Sequence, residues 1–222
     1  MAQQFRNRSD PNAIYNEYIQ GTGTGLGTGY PVTINFWFYA TADANGAMTG
    51  FGMGNDVDSS SHSLIVDDLT RRVSYTVTNA VGNPSTVIST ANFGSAWQMA
   101  TAVGTSTTSR TVYTNAASSA TTTISRLIGA PTSWAIGGSY ISGISPEFEG
   151  YLAEVAVWNV ALTLAEITSL YRGTKANQIR PQNLKVYVPL VRDRIDTCGN
   201  TTTIDVSGDL ASPVVNHVRR YG

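Results

Sequence analysis

The segment Phe148–Tyr171, FEGYLAEVAVWNVALTLAEITSLY, constrains the fold more than any other stretch, because it passes from period-two alternation to a short helical pattern with almost no connection between them. Up to Trp158 it alternates as a strand: Tyr151, Ala153, Val155 and Val157 fall on one face, and Leu152, Glu154, Ala156 and Trp158 on the other. Both faces are largely apolar, so both are expected to be covered. Thr163 and Glu166 then stand at the spacing of a capping box, Leu164, Ile167, Leu170 and Tyr171 repeat at helical spacing, and Gly173 supplies the stop. A helix of about ten residues is marginal alone, so this one needs its apolar face docked on a sheet.

Elsewhere the chain reads as short β-rich runs separated by Gly, Ser, Asn and Asp clusters. That pattern predicts an all-β fold, an antiparallel jelly-roll β-sandwich, with one short helix near residues 163–171. Strands are expected near Val32–Ala40, Met48–Met53, Ser63–Val66, Val73–Thr78, Ser85–Ser89, Trp97–Val103, Arg110–Asn115, Thr121–Ile124, Trp134–Gly137, Gly150–Trp158 and Leu184–Leu190. In the first of these, Val32, Ile34, Phe36 and Phe38 make a clean apolar face and Thr33, Asn35, Trp37 and Tyr39 a mixed one, which suits a central strand. The glycine-rich run Gly21–Gly29 has no Gly-Lys-Ser/Thr element and opens no helix, so it reads as a turned loop and not a phosphate cradle. Residues 1–14 carry little hydrophobic pattern and read as an N-terminal arm, 15–190 as the sandwich, and 191–222 as a C-terminal extension. This last segment has a charged start (Arg192-Asp-Arg-Ile-Asp196) and a weak strand at Pro213–Val218; it reads as an added strand or a partner-contacting arm.

A chain of 222 residues with 41% hydrophobic content can bury the core of one large β domain. Charged residues make up only 13% of it and balance to a net −1, so neither nucleic acid nor an anionic membrane is an expected partner, since both are recognised by concentrated Lys and Arg. Cys198 is the single cysteine, which excludes an intrachain disulfide. The polar start MAQQFRNRSD has neither the charged nor the apolar region of a signal peptide, and the longest apolar runs are too short to span a bilayer.

The block Phe148–Trp158 followed by Ala161-Leu-Thr-x-x-Glu-Ile167 resembles the penultimate strand and short helix of the laminin-G-like, concanavalin A-like lectin and glucanase sandwiches. Further segments fall in that family's order: Tyr18-Ile-Gln, Val32-Thr-Ile-Asn-Phe-Trp37, Trp97-Gln-Met-Ala100, Val112-Tyr-Thr-Asn115, Ile136-Gly-Gly138 and Leu184–Leu190. The resemblance spans about Tyr18 to Leu190 and implies the sandwich fold. Two departures stand out. Ala153-Glu154 replaces the family's acidic pair before Val155, which weakens any transfer of an acidic contact. Asn115-Ala116 replaces its Asn-Gly, which implies a different turn.

Candidate sites follow from residue chemistry. Glycosidases need two carboxylates flanking the scissile bond, and only Glu147 and Glu149, either side of Phe148, come close to that arrangement. His62 and His217 are the only histidines, neither lies in a nucleophile elbow, and Cys198 sits in a polar turn. No cofactor is expected unless calcium binds. The loops could offer it hard oxygen ligands at Asn55-Asp-Val-Asp58, Asp43-Ala-Asn45 and Asp67-Asp68, with Asp56 and Asp58 the metal-binding candidates. Sugar recognition would draw on Trp37, Tyr39, Trp97, Tyr113, Trp134, Tyr140 and Trp158, of which Trp37, Tyr39 and Tyr140 are the expected ligand contacts.

These features point first to a non-enzymatic structural or interaction protein: a bacteriophage capsid decoration or fibre protein displaying a lectin-like sandwich. A recognition fold without an export signal or disulfide, and with a Thr-, Ser-, Gly- and Ala-rich surface, suits a chain made in the host cytoplasm and displayed on the virion surface. Its expected partners are a major capsid or other virion protein, contacted through residues 1–20 and 191–222, further copies of itself in a homo-oligomer, and a weakly held glycan. The alternative is a carbohydrate-binding module or lectin, calcium-assisted or not, in a secreted setting; a glycoside hydrolase ranks last because the carboxylate set is missing.

Overall fold

The computed structural model describes residues 2–5, 18–23, 25–41, 46–138, 147–190 and 196–199, and the backbone alone of Ser118 and of 203–207. Its elements in chain order are β1 (Gln3–Phe5), β2 (Tyr18–Thr22), β3 (Val32–Ala40), β4 (Ala47–Gly54), β5 (Ser61–Asp67), β6 (Arg72–Thr78), β7 (Pro84–Ile88), β8 (Gln98–Ser106), β9 (Ser109–Thr114), β10 (Ser118–Thr122), β11 (Ser133–Ile136), β12 (Gly150–Trp158), α1 (Leu164–Tyr171), β13 (Leu184–Val188) and β14 (Thr203–Ser207). The strands form two seven-stranded antiparallel sheets. Sheet one runs β1-β12-β3-β8-β9-β10, with β13 also paired to β12, and sheet two runs β14-β2-β11-β4-β5-β6-β7. This is the expected all-β sandwich with one short helix.

The core lies between the sheets. As its alternation predicts, β3 sends Val32, Ile34, Phe36 and Phe38 inward, where Phe51, Leu64, Val66, Tyr75 and Trp134 of sheet two meet them. Gly50 allows this approach, because a Cβ there would overlap the Phe36 ring. On the outer face of sheet one a second apolar layer forms, in which Trp37, Met99, Ala156 and Trp158 are roofed by Ile167 and Leu170 of α1.

The helix forms as its sequence dictates. The Thr163 hydroxyl accepts from the Glu166 N–H, and the Glu166 carboxylate accepts from the Thr163 N–H, completing the capping box. At the other end Gly173 takes φ +100°, with Gly173 N–H bonded to Leu170 O and Thr174 N–H to Ser169 O, the two bonds that close a helix through a left-handed glycine.

Strict alternation fails in β12. Glu154 adopts φ +54° and donates its N–H to Pro189 O, and the register with β3 shifts between Ala153 and Ala156. This bulge inserts one extra residue, so Leu152, Val155 and Val157 point into the core, whereas Ala153, Ala156 and Trp158 face outward. The expected grouping of Val155 and Val157 with Ala153 is corrected accordingly.

The turn after β9 also departs from expectation. Asn115 and Ala116 take φ values of +54° and +59°, the positive angles that an Asn-Gly pair accommodates, so the backbone keeps that conformation despite the alanine. Asn115 holds it by accepting from Met99 N–H and donating to Gln98 Oε1. As a result β10 begins at Ser118, ahead of the expected Thr121. Two strands were not anticipated, β1 within the expected arm and β2, and within the expected extension β14 lies at Thr203–Ser207, paired with β2. Pro213–Val218 lies outside the described residues.

Candidate functional site

One step along β3 from Trp37, strand register brings three rings together on the outer face of sheet one. Tyr39 of β3 stands opposite Tyr151 of β12. Because Trp37 pairs with Met99 and Phe38 with Gln98, Tyr39 also stands level with Trp97, immediately before β8. The Tyr39 and Trp97 centroids are 6.2 Å apart with planes at 56°, and those of Tyr39 and Tyr151 are 6.1 Å apart at 68°. All three rings are half-buried, and Gln4 of β1 continues the row as the register partner of Tyr151. The result is a stepped aromatic surface with phenol hydroxyls, suited to stacking on the apolar faces of sugar rings while offering polar groups to their hydroxyls.

Of the expected ligand contacts, Tyr39 is part of this surface. Trp37 is only 7% exposed because its ring stacks on Tyr171 of α1, 5.8 Å away at 11°, so it supports the helix. Tyr140 lies outside the described residues. Among the other aromatics, Trp134 is in the inter-sheet core, and Trp158 is buried under α1 with its Nε1–H donating to Ile179 O. The sequence hid the role of Tyr151, which appeared only as one member of an apolar strand face; the available signal was its position across from Tyr39.

Beside Trp37 a buried polar group sits under the helix end. The Asn35 amide is 2.7 Å from the Thr101 hydroxyl, and Tyr187 donates its hydroxyl to the Glu154 carboxylate at 2.6 Å. Asn35, Trp37 and Glu154, with Leu170 and Gly173–Ala176, line a cavity of about 20 Å³, which has room for a single water and none for a sugar.

Asp56 and Asp58 occupy the turn between β4 and β5, where each performs local work. Asp56 Oδ2 accepts from the Thr132 and Ser133 hydroxyls, Asp58 Oδ1 accepts from Ser60 N–H, and Asn55 Oδ1 accepts from Val57 N–H. Among the described residues, no three His, Cys, Asp or Glu side chains gather as a metal-ligand set. Asp43 and Asn45 lie outside the described residues. An open groove of about 330 Å³ adjoins Asp58, lined also by Asn79, Val81 and Leu127, but no aromatic ring lines it.

The groups once considered for hydrolysis are differently placed. Glu147 and Glu149 flank Phe148, which is fully buried and anchors the entry to β12 through Phe148 N–H to Gly137 O. Burial and the neighbouring Asp196 push the Cys198 thiol up to about 12, which keeps it protonated and a poor nucleophile at neutral pH. His62 is fully buried in the core, and His217 lies outside the described residues.

Solved structures show the same fold. Similarity is found to the native heptameric SAP-like pentraxin from Limulus polyphemus, with a TM-score of 0.66 and 12% identity over 95% of this chain and 93% of that one. A candidate carbohydrate binding protein from Bacteroides ovatus gives a TM-score of 0.63 and 16% identity over 97% of this chain, which spans 61% of that larger protein. The CBM40 of the Ruminococcus gnavus IT-sialidase, bound to α2,3-sialyllactose, gives 0.55 and 15% identity over 77% of this chain and 94% of that one. No curated protein sequence matches the chain. The family model that does match covers the stretch from before β2 to within α1, and by that match over residues 14–168 the chain belongs to the concanavalin A-like lectin/glucanases superfamily.

Proposed function

We propose that this chain is a non-catalytic carbohydrate-binding domain that receives glycan on the Tyr39, Trp97 and Tyr151 surface. The observation that carries the reading is the set of three half-exposed rings held in register across neighbouring strands. Exposed aromatics cost free energy in water, and a sandwich that could have buried or replaced them keeps them together on one face. Their planes are tilted by 56° and 68°, so the surface fits the turns of a soluble oligosaccharide better than a flat polysaccharide sheet. Support also comes from the fold, shared with a sialidase CBM40 bound to sialyllactose and with a candidate carbohydrate binding protein.

The reading calls on no calcium at the rings: the metal candidates Asp56 and Asp58 lie in the turn between β4 and β5, where they accept from the Thr132 and Ser133 hydroxyls and the Ser60 N–H. The reading does not depend on the virion role expected from the sequence.

A glycan array with and without chelator, followed by calorimetry on the strongest hit, provides the test. Binding should persist in chelator and weaken by about tenfold, or ~1.4 kcal/mol, in Trp97→Ala or Tyr151→Ala, while Leu164→Ala on the exposed side of α1 leaves it unchanged. A flat array in both conditions sinks the reading; unweakened binding by both ring variants removes the site.

A further inference from the structure

Sheets end in edges, and the two flanks of this sandwich treat their edges differently. On the β13 side the outer backbone groups of Tyr187 are satisfied by returning chain: Tyr187 N–H donates to Asp196 Oδ1, and Thr197 N–H donates to Tyr187 O. That flank also carries charge, with Lys185 on β13. Such covering and charge are the usual protection against edge-to-edge pairing.

Among the described residues, the opposite flank lacks such covering. Here β10 ends sheet one and β7 ends sheet two, and the chain after β10 is tied to β7 by Arg126 Nη2 donating to Pro84 O. Between Asn79 and Thr90, and between Ala117 and Gly129, Arg126 is the single charged residue. Large apolar side chains are exposed around the same two edges: Val81 before β7 (76%), Ile88 at its end (49%), and Ile124 and Leu127 after β10 (53% and 74%). An uncharged edge with exposed apolar neighbours is a surface prepared for a partner.

We infer that this flank joins two copies of the chain, with β10 pairing antiparallel to β10 of a second copy across a two-fold axis. Its sequence, Ser118-Ser-Ala-Thr-Thr122, is self-complementary in that arrangement. Centred on Ala120, it sets Ser119 opposite Thr121 of the other copy, so small and β-branched hydroxyl side chains meet without like charges. A foreign partner needs no such symmetry, and charge would be its usual means of selection, whereas this edge offers none. Joining the edges makes one continuous sheet, and a two-fold normal to it leaves both outer faces on the same side.

Sedimentation velocity across a wide concentration range tests the inference, with circular dichroism to verify folding. Wild type should sediment as a dimer. Ser119→Lys/Thr121→Lys sets lysines against lysines and should be monomeric, whereas Ser119→Lys/Thr121→Glu sets opposite charges across the axis and should dimerise, more weakly at high salt. Both positions are exposed, so the changes leave the fold intact. A monomeric wild type, or equal behaviour of the two variants, overturns the inference.

Discussion

His62 lies fully buried between two tyrosines, and its hydrogen bonds determine its charge. Nε2 is 2.9 Å from Gly29 O, which can only accept, so Nε2 carries the proton and Nδ1 accepts from the Tyr75 hydroxyl at 2.6 Å. Burial first, and then the nearby Arg110 cation, lowers its pKa to about 3. Arg110 is itself fully buried and held by neutral oxygens, donating to Thr107 O, Ile124 O and the Ser85 hydroxyl. A second positive charge beside it is therefore costly. Because the folded pKa lies below the ordinary 6.5, the stability from neutral His62 is complete above about pH 6.5 and is lost as pH falls toward about 3. At ~1.4 kcal/mol per pH unit once well below 6.5, urea titrations should show roughly 2 kcal/mol lost between about pH 6.5 and pH 4.5 that His62→Gln does not lose. Parallel pH profiles for the two proteins would contradict this.

Among the elements, β1 shows how little local pattern a structural strand needs. Gln3–Phe5 adds to β12 over Gly150–Leu152, Phe5 is fully buried in the inter-sheet core, and Ala2 is buried in the outer layer. Gly137, at φ +80°, makes room for the Phe5 ring, since a Cβ there would overlap it. The chain start is thus fastened to both apolar layers. Phe5→Ala should destabilise the protein by about 3–5 kcal/mol in urea or thermal unfolding, a core-sized loss that a loose arm could not produce. In three residues there is too little alternation to show a strand, whereas the capping box and Gly173 announced α1 through chemistry confined to its own ends. The site was legible in the same uneven way. Tyr39 could be named, but Tyr151 and Trp97 join it only through pairings between β12, β3 and β8, elements far apart in sequence.

For the whole molecule, the proposed dimer and the proposed glycan surface would reinforce each other. Two aromatic surfaces on one side of a continuous sheet can engage a dense glycan layer together, so the second contact forms at high effective concentration. Surface plasmon resonance should therefore show much slower dissociation from a glycan-coated chip for wild type than for Ser119→Lys/Thr121→Lys, while calorimetry with a soluble monovalent oligosaccharide gives both the same affinity. Equal dissociation from the chip would show that the two surfaces do not act together.

Periodicity and end chemistry are properties of neighbouring residues, and through them the chain alone determined most of its strands, the clean core face of β3, the capped α1 and the sandwich class. Other features came only from tertiary structure. The bulge at Glu154 reverses the faces of Val155 and Val157 because Pro189, just after β13, supplies its carbonyl to the Glu154 N–H and Tyr187 of β13 its hydroxyl to the carboxylate. Trp37 is lost to a ligand because Tyr171 covers it, whereas Tyr39 stays half exposed. Which aromatic faces solvent depends on what lies across the sheet or above it, and those neighbours are brought close only when the chain folds.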